Sequence, residues 1–255
     1  MAETLREQVS RRPLAYWATI ENYRWWLAHD QIYDQLLRET GGITADIIRT
    51  IAKAYGINRG ISAAEDKDDD VTASAIARVL NEFNVVSFKK LSSLKDKVPT
   101  FRSIVDRMPM NVDRDKSQNP TFVSGTSKLI WFFAPEGWTM FDRLAADGAG
   151  IAKSLPSITR AERYYASLGD RGFEQTTTKI QAVLDRSAFK ALHGERLIDK
   201  FLWLAGCKLE TQKNTILMLH FYMDGLFPDV RSKLDALATK VADMLQSDLD
   251  ALTKK

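Results

Sequence analysis

PLAYWATIENYRWWLAHDQIYDQLLRET, residues 13–40, sets Trp17, Ile20, Tyr23, Trp26 and Leu27 at helical spacing. Pro13 fits a first-turn position, and Gly41-Gly42 ends the run. The same signals recur outward along the chain. A second helix is expected over Thr44–Tyr55, with Thr44 as its cap and Gly56 just past its end. Asn58–Asp70 reads as a polar loop, and Asp70 as the cap of a helix over Val71–Phe83. Pro99 is expected to open a helix near Thr100–Arg107. Gly125–Phe133 reads as a short apolar helix, broken by Ala134–Thr139, with a further helix from Met140–Leu144 to about Lys153. Thr159–Leu168, Phe173–Leu184, Glu195–Leu204, Thr211–Asp224 and Asp229–Leu252 complete the set. The last carries Val230, Leu234, Leu237, Val241, Leu245 and Leu252 on one side, to pack on the body or to form a dimer contact.

Few segments alternate with a period of two, and no internal repeat is found. The fold class is therefore mostly α: a multi-helix bundle, one compact unit over 1–255 or two lobes split near 109–124. That stretch, PMNVDRDKSQNPTFVS, is the longest loop expected and is either functional or an inter-lobe connection.

The 255 residues, 45% hydrophobic and 27% charged, allow a substantial core without disulfides or metals. Cys207 is the single cysteine, which excludes an internal disulfide and suits a reducing compartment. Its apolar context, LWLAGCKLE, reads as a small core residue. The N-terminal stretch has neither a signal-peptide apolar run nor a cleavage pattern, and the apolar run Leu129–Pro135 is too short to span a bilayer. A cytoplasmic protein without membrane contact is expected.

Charge is distributed unevenly. The net charge is +3, but Lys89–Lys128 holds nine Lys/Arg against four Asp, and EDKDDD at Glu65–Asp70 holds five acids and one base. A basic middle could bind a polyanion on one face, although a solvated surface accounts for the same charges. Several chemistries lack their residues. His29, His193 and His220 have no partners at metal-ligand spacing, and the chain has no P-loop, GxGxxG or GxSxG. EDKDDD lacks the glycine and terminal Glu of a calcium loop. No metal and no cofactor are expected.

The segment that carries chemistry is SGTSKLIWFFAPEGWTMFDRLAADGAG, Ser124–Gly150. A glycine turn at Gly125 precedes Thr126, Ser127 and Lys128 at a helix start, where open amides favour an anion such as a phosphate. A short extended stretch then leads to Asp142, just before a new helix. Asp142 is either a simple cap or, beside a pocket, a fixed carboxylate suited to electrostatic catalysis or water activation.

Gly125-Thr126-Ser127-Lys128, the apolar helix Leu129–Phe133 and Thr139-Met140-Phe141-Asp142 resemble the helix-hairpin-helix DNA glycosylase superfamily. The resemblance covers about 27 residues directly. It implies a two-lobed helical bundle, a glycine hairpin on a DNA phosphate, Asp142 as the essential carboxylate and Lys128 as the nucleophile of bifunctional members. Lys128 otherwise reads as a surface or phosphate-binding lysine.

Other candidates surround that segment. A flipped base needs flat apolar walls, and Trp138, Trp25 and Trp26 are the candidates, whereas Trp17 and Trp131 read as core. Lys89, Lys90, Arg102 and Arg107 could touch a DNA backbone. Arg196, Asp199 and Lys200 are spaced for ion pairs along one helix, with a phosphate role for Arg196 or Lys200 as the alternative. The expected function is removal of a modified base from duplex DNA, for repair or against modified foreign DNA. A non-catalytic helical nucleic-acid-binding or protein-interaction module is the competing reading.

Overall fold

The computed structural model describes residues 12–40, 42–57, 69–83, 88–109 and 122–253. Its regular elements are all helical: α1 Leu14–Trp25, α2 Gln31–Thr40, α3 Ala45–Ala54, α4 Asp69–Glu82, α5 Leu94–Arg107, α6 Val123–Phe133, α7 Arg143–Gly148, α8 Ser157–Asp170, α9 Phe173–Leu184, α10 Gly194–Gly206, α11 Leu209–Asp224 and α12 Pro228–Leu252. No described residue forms a strand, and no described helix is long and apolar enough to cross a membrane.

The helices form two compact units. Unit 1 comprises Met1–Trp26, Asp142–Lys153 and Ser167–Lys255; unit 2 comprises Leu27–Phe141 and Ser154–Ala166. Residues 110–121, the greater part of the stretch expected to divide two lobes, lie outside the described residues, as does most of EDKDDD.

In unit 1, α10 lies against α7 and α1, while α12 packs on α1 and α9. α1 is buried from Ala15 to Tyr23, and its first-turn Ala15 amide is met by Gln246 Oε1 of α12 at 3.0 Å. Leu234, Leu237, Val241, Leu245, Leu249 and Leu252 form the buried stripe of α12, so the C-terminal helix packs on its own unit. Gly148 and Gly206 bring α7 and α10 together backbone to backbone. Trp26–Asp30 form one widened π-type turn.

In unit 2, α3 begins where Thr44 Oγ1 accepts from the Ile47 amide, and Gly56 follows it with φ 63°. The start of α5 differs from expectation. Ser93 caps it, accepting from the Asp96 amide at 3.2 Å, so the helix begins at Leu94 and Pro99 sits inside it. A Ser-x-x-Asp cap outweighs the lost proline donor, because Pro99 still falls in the second turn.

Candidate functional site

Asp142 stands in extended backbone at the start of α7, and its Oδ1 accepts from the Ala145 amide at 2.8 Å. This cap satisfies one of the open amides of the first turn and fixes the carboxylate. Asp142 is half-buried, and its Oδ2 has no hydrogen-bond partner among the described residues. One oxygen is therefore anchored, while the other meets no donor among the described residues. The charge is felt within unit 1 by Cys207: burial, and after it the Asp142 carboxylate, pushes that thiol up to about 11.

The stretch before Asp142 is held by side chains of unit 2. Ser127 Oγ accepts from the Phe141 amide at 3.0 Å, and Trp138 Nε1 donates to the Ser127 carbonyl at 3.1 Å. Tyr165 donates to the Thr139 carbonyl at 3.1 Å and Tyr164 to that of Met140 at 3.3 Å. An extended segment outside any sheet needs such partners, since buried backbone groups left unpaired are costly.

The glycine-turn reading requires correction. α6 starts at Val123, ahead of Gly125, and Gly125 does not have positive φ. A Cβ on Gly125 would fall 2.2 Å from the Phe122 ring, so the glycine admits that ring against the helix. Thr126 and Ser127 are fully buried; the Thr126 hydroxyl donates to the Phe122 carbonyl at 2.6 Å. Gly125, Thr126 and Ser127 thus present no surface to a phosphate. Lys128 follows them on α6 in unit 2 and is half-buried.

Trp138 also requires correction as a base-pocket wall. It is 0% exposed, stacked on Tyr165 at 4.1 Å between ring centroids and edged by Phe88 and Phe101. Trp25 and Trp26 are both half-buried in unit 1. Trp25 Nε1 donates to Glu21 Oε1 at 2.6 Å, with Lys200 Nζ 4.0 Å from its ring and the Arg196 guanidinium at 5.6 Å. Trp26 lies 6.1 Å from the His193 ring.

Lys89, Lys90, Arg102 and Arg107, the candidate contacts to a DNA backbone, are exposed in unit 2. Lys89 pairs with Glu136 at 3.6 Å, Arg102 with Asp106 and Glu162, and Arg107 with Glu82. Exposed pairs of this kind are worth about 0–1 kcal/mol, so a polyanion can displace them. Lys90 is exposed beside Lys89.

Sequence reasoning missed a buried charged group in unit 1. Glu21, Glu195, Arg196, Asp199 and Lys200 are all under a tenth exposed. Arg196 pairs with Asp199 as the spacing predicted, on a helix buried nearly all round. Glu21 accepts from Arg24 Nε at 2.8 Å and Nη2 at 2.9 Å as well as from Trp25. The i, i+3, i+4 spacing of Glu21, Arg24 and Trp25 was the available signal. Among the described residues no group of three His, Cys, Asp or Glu could hold a metal ion. No protein-family model matches the chain, and no curated protein and no solved structure matches it.

Proposed function

We propose that this chain removes a modified base from DNA by hydrolysis, with Asp142 as the catalytic carboxylate. The observation that carries the reading is the half-buried Asp142 itself, anchored through Oδ1 and with no partner at Oδ2 among the described residues. As the base departs, positive charge grows on the sugar. A preplaced carboxylate oxygen stabilises that charge without reorganising, and the same oxygen can orient the attacking water. The target nucleotide has to leave the stack to be reached. Lys89, Lys90, Arg102 and Arg107 would supply backbone contacts, giving up weak surface pairs for phosphates. Hydrolysis needs the carboxylate alone; strand cleavage through the Lys128 amine would proceed by a Schiff base that borohydride traps.

Asp142→Asn is the direct test, because asparagine caps a helix as well as aspartate does but carries no charge. The variant folds, keeps salt-sensitive DNA binding and forms no abasic sites. The burial of Gly125, Thr126, Ser127 and Trp138 favours a second reading, a non-catalytic helical interaction module. Under that reading neither wild type nor variant releases a base.

A further inference from the structure

α11 is apolar on two faces. Leu219 and Met223 are its buried side chains, on a helix that lies against α1 of the same unit. On the other side Met218 and Phe221 stand in water, and Leu217 between them and the body is half-buried. Leu209 at the start of the helix is exposed as well, and Phe227, in the turn into α12, is 82% exposed. Leu209, Met218, Phe221 and Phe227 are four of the seven exposed large hydrophobic side chains among the described residues. A helix at a protein surface normally turns a polar face to water, and one that is apolar all round is normally covered all round. The four side chains leave on the order of 500 Å² of apolar surface open, as much as the largest and often functional patch of a typical monomer.

The charges around this face nearly balance. Lys208, Glu210 and Lys213 are exposed at the start of α11, and Lys213 has no ion-pair partner among the described residues. At the far end Asp224 meets His220 and Arg231, and Asp229 meets Lys233. The Asp224 side chain nevertheless remains 41% exposed and can accept a further cation. A nucleic acid or an anionic membrane would call for a surplus of Lys and Arg that this face does not hold. A helix with a free lysine in its first half and an open carboxylate at its end is complementary to itself turned end for end, as its macrodipole also is.

We propose that α11 pairs antiparallel with α11 of a second copy of this chain, closing a two-fold dimer. One register satisfies the whole face. Phe221 lies against Leu217 of the second copy, Lys213 reaches Asp224, and Phe227 meets Leu209 at the helix end. A two-fold contact uses each of these pairs twice and places Met218 against its own counterpart near the axis. All four exposed apolar side chains are then covered, and Lys213 gains a carboxylate. The two patches together bring about 1,000 Å² of apolar surface to an interface whose standard size is about 1,600 Å².

Sedimentation equilibrium of the full chain from about 1 to 200 µM tests this. The 28.9 kDa chain is expected to convert to a species of twice that mass, with a Kd on the order of 10 µM. Phe221→Asp, at an exposed position, should weaken association about tenfold or more, with an unchanged circular dichroism spectrum. Met244→Asp, at an exposed apolar position on α12, should leave the Kd in place. Lys213→Asp should weaken association about threefold, and adding Asp224→Lys should restore it, because the exchanged charges again face each other. A chain that stays monomeric throughout, a Kd indifferent to Phe221→Asp, assembly beyond the dimer, or no recovery in the double charge exchange would each overturn the proposal. None of these readouts depends on base excision.

Discussion

Gly148 and Gly206 meet at the crossing of α7 and α10. A Cβ built on Gly206 would lie 2.7 Å from the Gly148 amide nitrogen and 1.8 Å from the Leu144 carbonyl oxygen. Built on Gly148, it would lie 2.0 Å from the Leu202 carbonyl and 3.0 Å from the Gly206 nitrogen. The obstructing atoms are backbone, so no side-chain rotation relieves them. Gly148→Ala or Gly206→Ala is expected to lose about 1–3 kcal/mol or more, since the helices must move apart. Urea unfolding reads this as a lower midpoint. Gly42→Ala, where a Cβ meets nothing within 4 Å, should leave the midpoint in place.

Trp138 is expected to behave as core. Trp138→Ala removes a fully buried indole with its stack on Tyr165 and its bond to Ser127, at a cost of about 3–5 kcal/mol. The thermal midpoint should fall steeply. Unchanged stability with altered base selectivity would instead return Trp138 to the role of a pocket wall.

Glu21 gathers three donated bonds while only 2% exposed. Glu21→Ala leaves the Trp25 and Arg24 donors without that acceptor, and a loss of about 1–3 kcal/mol is expected. Glu21→Gln keeps an acceptor oxygen and should lose less. Equal unfolding midpoints for the two variants would contradict this account of the group.

Much of the fold was legible because its signals are local. Thr44 and Gly56 bound α3 within its own sequence, and Asp142 announces the start of α7 three residues from the amide that it caps. Pro99 misled because a proline reads as a helix start, whereas the Ser93 cap six residues earlier governs. Trp138 was misplaced for a different reason. A tryptophan in a Gly/Pro-containing break looks exposed until Phe88, Phe101 and Tyr165 arrive from distant segments. The ion-pair spacing of the α10 charges was readable, but not their burial or their place against Trp25, because α1 is remote in sequence. The Asp142 cap was readable; that its Oδ2 meets no donor among the described residues required the three-dimensional structure.

Cys207 offers an independent probe of the Asp142 charge. A thiol pushed up to about 11 is protonated at neutral pH and should alkylate slowly, its rate rising toward a midpoint near pH 11. Asp142→Asn removes a nearby anion that disfavours the thiolate, so the midpoint should move down. Burial, the larger cause, should keep it above that of a free thiol. A midpoint unmoved in Asp142→Asn would show that the carboxylate does not act at Cys207.

Base release tests the central claim most directly. Wild type and Asp142→Asn are incubated with duplex and single-stranded DNA carrying deaminated, oxidised, alkylated and bulky phage-type bases, and abasic sites are counted. Abasic sites with wild type on at least one substrate are expected, with a loss of about 100-fold or more in Asp142→Asn, as for removal of a preorganised electrostatic group. Release that survives in Asp142→Asn would contradict the role of the carboxylate, and no release from any substrate would contradict the glycosylase reading itself.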